Sequence, residues 1–595
     1  MTSALEKQRS LTVYVWLYLA VYGVCSALFL TGFPFVHSDE GWLAGLSRDM
    51  MAEGSLGVTE SFFNAKVRYP HAIKSIYHLL QQAYIALFGY SPFAVRLLSL
   101  TGAIVFLWPF YLLAKRFTEK DGLSFALMIL LSLHTWFIYI SHFARQESWL
   151  LALMAGVMLA LCPARKRDAA DSDGPRMLNG STMQTPAGRA FCAALLTGIA
   201  IGFHPNSFLL ACVAGGILLA QLIQARPGRT QEADAVTEAS AQPHAKKHFD
   251  FRSSPLAPPV LYVCVVALFA AFFIAVSYSF GPHFLRNYFA YGAADFGLDA
   301  PPGDRLTELF GFFARLWKRE SGTYYLPETR VFFVLMLLLV IGMTVYAVRR
   351  KDRDVALLPA GLAGLIAGIY IIGRFNQMSF IFFFPFVYLL AGKALLLLPR
   401  REVFFACAFS IQLLTSVLQI RPWLLPPAVS SDRKAASDGT YDGYLRELEA
   451  LVPRDAKTIA NLNTAFYFDQ GKLLDYRNLP YVMQGESNAD AGPDADAPDP
   501  AGGATASPVS RIAAYVEENH VEYILYTVEL DYLLSHRPYY NVIYGNIMFA
   551  EALKEYCETR CKAVGSFTDA RYGARVIALM GDERYGTVTV YRVVE

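Results

Sequence analysis

The stretch FVHSDEGWLAGLSRDMMAEG, residues 35–54, follows directly on an apolar run at 11–33 and governs how the rest of the chain is read. It sets two adjacent carboxylates, Asp39 and Glu40, at the edge of a segment long enough to cross a bilayer. Read locally, Ser38 caps a helix, Asp39 and Glu40 complement its positive N-terminus, and Gly54 ends it. Trp42, Leu43, Leu46 and Met50 then share one apolar face, which predicts an amphipathic helix lying on the membrane.

Further apolar runs lie near 96–114, 122–140, 147–162, 190–205, 206–224, 259–280, 330–348, 355–373, 378–398 and 402–420, so about eleven spans are expected. With 54% hydrophobic and only 17% charged residues, the chain is too apolar for a soluble domain, and a net charge of +2 gives no reason to expect a nucleic-acid partner. The first run carries Lys7 and Arg9 before it and no small-residue cleavage site, so it reads as a retained helix. Basic residues fall on alternate connections: Lys115-Arg116, Arg165-Lys166-Arg167, Arg226 to Lys247, Arg349-Arg350-Lys351 and Arg400-Arg401. This pattern predicts a cytoplasmic N-terminus. Counting segment 72–89 as a span would invert every later charge, and its Lys74, His78, Gln81 and Gln82 suit an interfacial helix better.

The expected architecture is therefore a polytopic α-helical membrane domain over 1–420, with outer loops 34–95 and 281–328, followed by an extracytoplasmic α/β domain over 421–595. In that tail 440–452, 510–519 and 547–559 read as helices, and TIANLNTAFYF (458–468), VEYILYTV (521–528) and GTVTVYRVV (586–594) as strands. The Asp/Ala/Pro/Gly-rich stretch at about 485–508 reads as a disordered insertion, 168–188 and 228–254 as loose cytoplasmic segments, and the composition of these insertions suggests a bacterial source. Six of the eight cysteines sit in or beside apolar runs, while Cys557 and Cys561 read either as a disulfide or as free thiols.

Over roughly residues 11–400, the first span and the Asp39-Glu40 loop included, the chain resembles a known family. RYPHAIKSIYHLLQQAYIALFGYSPFAVRLLSLTGA (68–103), FARQESWLLAL (143–153), GFHPNSFLL (202–210) and GRFNQMSFIFFFP (373–385) are similar to elements of GT-C glycosyltransferases of the protein O-mannosyltransferase and aminoarabinose transferase superfamily. The most specific match is an aromatic-rich helix, a glycine and an Ala-x-Arg-Leu span. Tyr69-Pro70-His71 departs from the common His-Pro-Pro order, and Gln146 stands where many members carry proline.

The resemblance implies an inverting transfer of a sugar from a polyprenyl-phosphate donor to a lipid, glycan or protein hydroxyl at the outer face of a bacterial inner membrane. Such chemistry needs a base for the acceptor proton and positive charge for the departing phosphate. Asp39 is the candidate base and Glu40 its supporting carboxylate; Arg374, Lys74 and His71 are candidate phosphate ligands. Arg145, Glu147, His204 and Tyr69 are candidates for orienting substrate, and Trp317, Tyr324 and Tyr325 for stacking on sugar. Each also has a plainer reading: Arg374 and Lys74 as interface anchors, Arg145 and Glu147 as a simple pair, the histidines as local hydrogen-bond partners. No cofactor is obligatory, and a divalent cation would draw on oxygens of Asp39 and Glu147. A transporter, a glycan polymerase or ligase, and a non-catalytic membrane assembly protein are the competing functions. The first predicts broken helices and midplane charge, whereas these runs are mostly uninterrupted.

Overall fold

The computed structural model describes residues 2–65, 68–162, 185–225, 254–289, 300–319, 324–373, 375–424, 440–484, 507–527, 530–531, 548–569 and 587–594, with side chains from residue 11 onward. The expected insertion at 485–508 and segments at 168–188 and 228–254 fall mostly outside these, as does Arg374.

Helix α1 (Thr2–Leu28) is followed by α2 (Ser38–Glu53), α3 (Ser75–Phe88) and the long α4 (Pro92–Thr118). Among the described residues eight helices are long and apolar enough to cross a membrane: Leu11–Leu28, Pro92–Thr118, Ser207–Ala225, Ala257–Phe280, Arg330–Arg350, Arg353–Ile372, Gln377–Leu395 and Arg401–Leu424. The run expected as a single span at 122–140 is a pair, α5 (Asp121–Ser132) and α6 (Thr135–Ser141), bent by 69°. His134 makes that break, since its ring accepts from the Trp136 N–H at 3.1 Å and starts a new helix. Two shorter apolar helices, α7 (Glu147–Leu161) and α8 (Pro186–Ile201), occupy the remaining expected positions. Within this bundle α9 (Ser207–Ala225) packs on the helix Arg353–Ile372 with the backbones in contact. A side chain at Gly216 would come within 2.2 Å of the Ala360 carbonyl, and one at Gly364 within 2.1 Å of the Cys212 carbonyl. Small residues allow the close approach on which helix association in lipid depends.

Two expectations for the first outer loop are corrected. The cap of α2 is His37, not Ser38: its Nδ1 accepts from the Asp39 N–H at 3.0 Å while Glu40 accepts from the His37 N–H at 2.9 Å, a reciprocal capping box. Nor does α2 lie on lipid with an open polar face. Leu43, Ala44, Ser47, Asp49 and Met50 are all buried in protein. Ser47 bonds His78 at 2.8 Å and Gln81 at 2.7 Å, so the polar residues that make α3 a poor span turn inward onto α2. On its other side α2 meets the C-terminal domain.

That domain holds a five-stranded sheet in the order β2-β1-β3-β5-β4, with β1 (Thr458–Ala460) parallel to β2 (Leu473–Asp475) and to β3 (Tyr523–Thr527). Strand β5 (Thr587–Val593) runs antiparallel to β3 and to β4 (Cys561–Thr568). The expected helices are present at Tyr441–Glu449, Pro508–Glu518 and Met548–Arg560. The strand expected over 458–468 stops after three residues because the Asn461 side chain accepts from the Asn463 N–H and closes a turn. Strands β2 and β4 were not expected; β2 has only three residues, and β4 is an edge strand largely exposed on both faces. Cys557 is buried, Cys561 half-buried, and both are free thiols.

The domain seats its 462–464 turn on α2 at Gly41, where an added Cβ would lie 2.0 Å from the Leu462 carbonyl oxygen. Backbone on one side and a helix on the other leave nothing flexible to yield. Gly41→Ala should therefore cost about 1–3 kcal/mol, read as a lower midpoint for unfolding in mixed micelles, with faster proteolysis of the C-terminal domain.

Candidate active site

The site is built where the start of α2 meets the turn between α6 and α7. Both Asp39 and Arg145 stand at helix ends, so neither side chain is shielded by its own helix. The Arg145 guanidinium donates to Asp39 Oδ2, to the Tyr324 hydroxyl at 2.6 Å, and reaches Glu147 Oε1 at 3.1 Å. Tyr324 itself donates to Asp39 Oδ2, and its ring stacks on His37 at 4.5 Å with 9° between the planes. Asp39 keeps 19% of its side chain exposed, so the cluster opens to the outside of the fold. Glu147 is 1% exposed, and its Oε2 has no hydrogen-bond partner. Burial alone would raise the Asp39 carboxyl; Arg145, His37, the Tyr324 hydroxyl and Arg477 together outweigh it and hold the group down to about 2.

Lys74 stands at the start of α3 with a left-handed backbone, φ 84°, a conformation that costs any residue with a Cβ energy and is retained where structure or function demands it. Burial, then the nearby Arg68, lowers its ammonium to about 8, and it also feels Arg145 and Asp39. His71 is lowered to about 4 by burial and then by Lys74, and its Nδ1 is buried without a partner. His204, in the turn between α8 and α9, is pushed well below its ordinary value by burial, with Lys74, Arg145 and His71 adding to the effect. Its Nδ1 accepts from the Asn206 N–H at 3.0 Å, which fixes the ring. Asp39, Arg145, Glu147, Lys74, His71 and His204 thus share one electrostatic neighbourhood.

Glu40 points away from this opening. It is 1% exposed and paired in bidentate fashion with Arg96, at 2.8 Å for each oxygen, and also accepts from the His37 and Ala144 N–H groups. Tyr69 is exposed, Trp317 packs on Phe333, and Tyr325 is buried against Phe33, Tyr139 and Trp423. Among the described residues there is no group of three or more His, Cys, Asp or Glu side chains able to hold a metal ion.

Several residues of the site were not singled out for their roles from sequence. The partner of Glu40, Arg96, carried a legible signal, since a charge near the start of a long apolar run needs a partner. His37 and Arg68 act through neighbours in sequence, Asp39 and Glu40 for the first and Glu60 for the second, whereas Arg477 acts through a fold contact distant in sequence.

No family model matches the sequence, and no curated protein matches it. Among solved structures, ArnT from Cupriavidus metallidurans in the apo state matches with a TM-score of 0.53 at 14% identity, over 98% of each chain. ArnT from the same organism bound to undecaprenyl phosphate matches at 0.42 and 14% identity; the match covers 71% of this chain and just under two thirds, 66%, of that one. The Archaeoglobus fulgidus oligosaccharyltransferase tethered with an acceptor peptide containing the NVT sequon matches at 0.48 and 12% identity, over 90% of this chain and 72% of that one. The fold is thus that of apo ArnT along nearly its whole length, C-terminal domain included, and the GT-C resemblance read from the motifs stands as a resemblance of fold. The chain is a multi-pass membrane protein.

Proposed function

We propose that the protein is an inverting glycosyltransferase that takes a sugar from a polyprenyl-phosphate donor and places it on a hydroxyl of a lipid, glycan or protein acceptor. The reaction would take place at the outer face of a bacterial inner membrane, with the N-terminus cytoplasmic and the C-terminal domain outside. The observation that carries this reading is the half-buried Asp39 carboxylate set against Arg145, with the Lys74 ammonium in the same neighbourhood. A base and a cation side by side suit a displacement in which a hydroxyl loses a proton as a phosphate leaves.

In that step the acceptor oxygen forms a bond to the anomeric carbon, the bond from that carbon to the phosphate oxygen breaks, and the acceptor proton passes to Asp39. Polyprenyl phosphate leaves with the bonding electrons. Lys74 and Arg145 stabilise its charge, with His71 and Arg374 as further phosphate ligands. Once the phosphate draws on Arg145, Asp39 loses part of the attraction that holds its pKa low and becomes a stronger base. Glu147, through its unpaired Oε2, orients the acceptor hydroxyl. His204 and Tyr69 line the approach. Glu40 serves as a positioning residue, since both its oxygens are engaged.

The test is transfer of radiolabelled sugar from a pool of bacterial polyprenyl-phosphate sugars by the full-length protein in lipid nanodiscs. Label on an acceptor with release of polyprenyl phosphate supports the reading, and no transfer from a broad donor pool overturns it. Lys74→Gln should weaken binding of polyprenyl phosphate about 10-fold, the scale of one charge-assisted hydrogen bond. The sign with pH follows from the lowered ammonium. Lys74 is charged below about 8 and neutral above it, so wild-type affinity falls as pH rises through about 8. The variant should lack that limb in a binding titration.

A further inference from the structure

The C-terminal domain holds α2 at a second place, one turn beyond Asp39. Trp42, three residues on and on the same side of the helix, carries two guanidinium groups over its ring. Arg68 sits 5.1 Å from the ring and Arg477 4.9 Å, and Arg477 also covers the Phe63 ring at 4.9 Å. The indole N–H donates to Glu60 at 2.6 Å, and Glu60 pairs with Arg68 through both oxygens, at 2.7 and 3.0 Å. The ring therefore has a fixed edge as well as cations packed on it.

Arg68 and Glu60 belong to the loop that follows α2, but Arg477 belongs to the sheet domain. Its guanidinium is held by Asp475, the last residue of β2, at 2.6 and 3.3 Å. Asp475 also accepts from the Leu462 N–H at 3.1 Å, in the turn pressed against Gly41, and its own N–H donates to the Phe62 carbonyl at 3.2 Å. One carboxylate thus joins two of the points at which the domain grips α2; farther along the helix Arg48 donates to the Phe468 carbonyl at 3.0 Å and Asp49 accepts from the Gln470 amide at 3.1 Å. From these contacts we propose that Arg477 is a positioning residue for the Asp39 site, acting through Trp42 to fix the first turn of α2. The proposal deepens the reading of Asp39 as the base and rests on that reading for its kinetic arm.

A planar guanidinium on an indole face fixes the orientation of a ring as well as its distance, which a lysine at the same place would not do. Loss of the stack leaves the domain's hold on α2 to the Gly41 contact and to Arg48 and Asp49 farther along the helix, and loosens the first turn. A base displaced by a fraction of an ångström loses rate without losing the substrate's binding contacts.

The experiment compares wild type, Arg477→Gln, Arg477→Lys, Trp42→Leu and the Trp42→Leu/Arg477→Gln double variant, as full-length proteins in nanodiscs. Sugar transfer from polyprenyl-phosphate donors and hydrogen–deuterium exchange are measured on each. In Arg477→Gln, kcat should fall about 10- to 100-fold with the donor KM within about twofold. Arg477→Lys should lose kcat in the same way, and it carries the test should the glutamine variant fail to fold. The Arg477→Gln loss should shrink in the Trp42→Leu background to what the missing charge costs Asp39 directly, because the arginine acts chiefly through that ring. Exchange should rise in residues 38–45 and stay unchanged in 458–475. Additive losses with donor KM rising alongside them would mean only a weakened domain, and would overturn the proposal; so would unchanged exchange in 38–45. If wild type transfers no sugar at all, the proposed function falls, and the exchange result alone decides the role of Arg477.

Discussion

Asp39→Asn should reduce sugar transfer by about 10³-fold, within the range for loss of a general base, while the protein remains folded. Asparagine keeps the shape of the side chain and one acceptor oxygen for the Arg145 and Tyr324 donors that now converge on Oδ2. What it removes is the second lone-pair oxygen that would take the acceptor proton. The cost to stability should be small: Asp39 is partly exposed, and Arg145 retains Glu147 as a partner at 3.1 Å. Donor binding should survive as well, because Lys74 is unaltered and neutralising a carboxylate removes repulsion from the incoming phosphate. The decisive measurement pairs a transfer assay with a binding titration of polyprenyl phosphate on the same preparation. Lost transfer with retained or tighter binding supports the base. A variant that transfers sugar at the wild-type rate would remove Asp39 from the chemistry.

The parts of this molecule that were legible in the sequence are those set by local pattern. Apolar length located the membrane helices, and the polar residues of 72–89 marked α3 as something other than a span; its short helix, Ser75–Phe88, meets that expectation. The neighbourhood of Asp39, Arg145, Lys74, His71 and His204 was reached through motif resemblance, which carried long-range information that spacing alone lacks. Illegible were the features decided by tertiary contact. The burial of α2 depends on Gly41 and Gly45, whose missing side chains admit Leu462 and Phe62, and nothing in a local pattern distinguishes that face from one turned to lipid. The bend between α5 and α6 turns on one histidine accepting a backbone N–H inside an otherwise continuous apolar run. Tyr324 could be named as an aromatic of the outer loop, yet its pairing with Asp39 joins residues 285 apart in sequence.

Arg96→Met should be the most destabilising single change in the membrane domain, at about 3–5 kcal/mol, the range for removing one member of a buried ion pair. Arg96 is fully buried in α4, and its five-donor head is spent on Glu40 and on the carbonyls of Leu30 and Pro34 at 2.9 Å and Phe35 at 3.1 Å. It therefore neutralises Glu40 and, in the same act, fastens the chain between α1 and α2. Methionine fills the volume but leaves a carboxylate that is 1% exposed with only two backbone N–H partners, those of His37 and Ala144. Glu40→Gln alone should cost less, since the amide oxygen still accepts from Arg96 and from one of those N–H groups. The double variant should then be less destabilised than the sum of the two, because its cost no longer includes an isolated buried charge. Unfolding midpoints in mixed detergent micelles for the four proteins give this coupling directly. Strict additivity would mean that Arg96 acts through the three carbonyls alone. The functional consequence follows from Ala144, whose N–H rests on the same carboxylate one residue before Arg145. An unsettled Glu40 would shift both halves of the Asp39–Arg145 pair, so surviving Arg96→Met protein should transfer sugar more slowly than wild type even at temperatures where it stays folded.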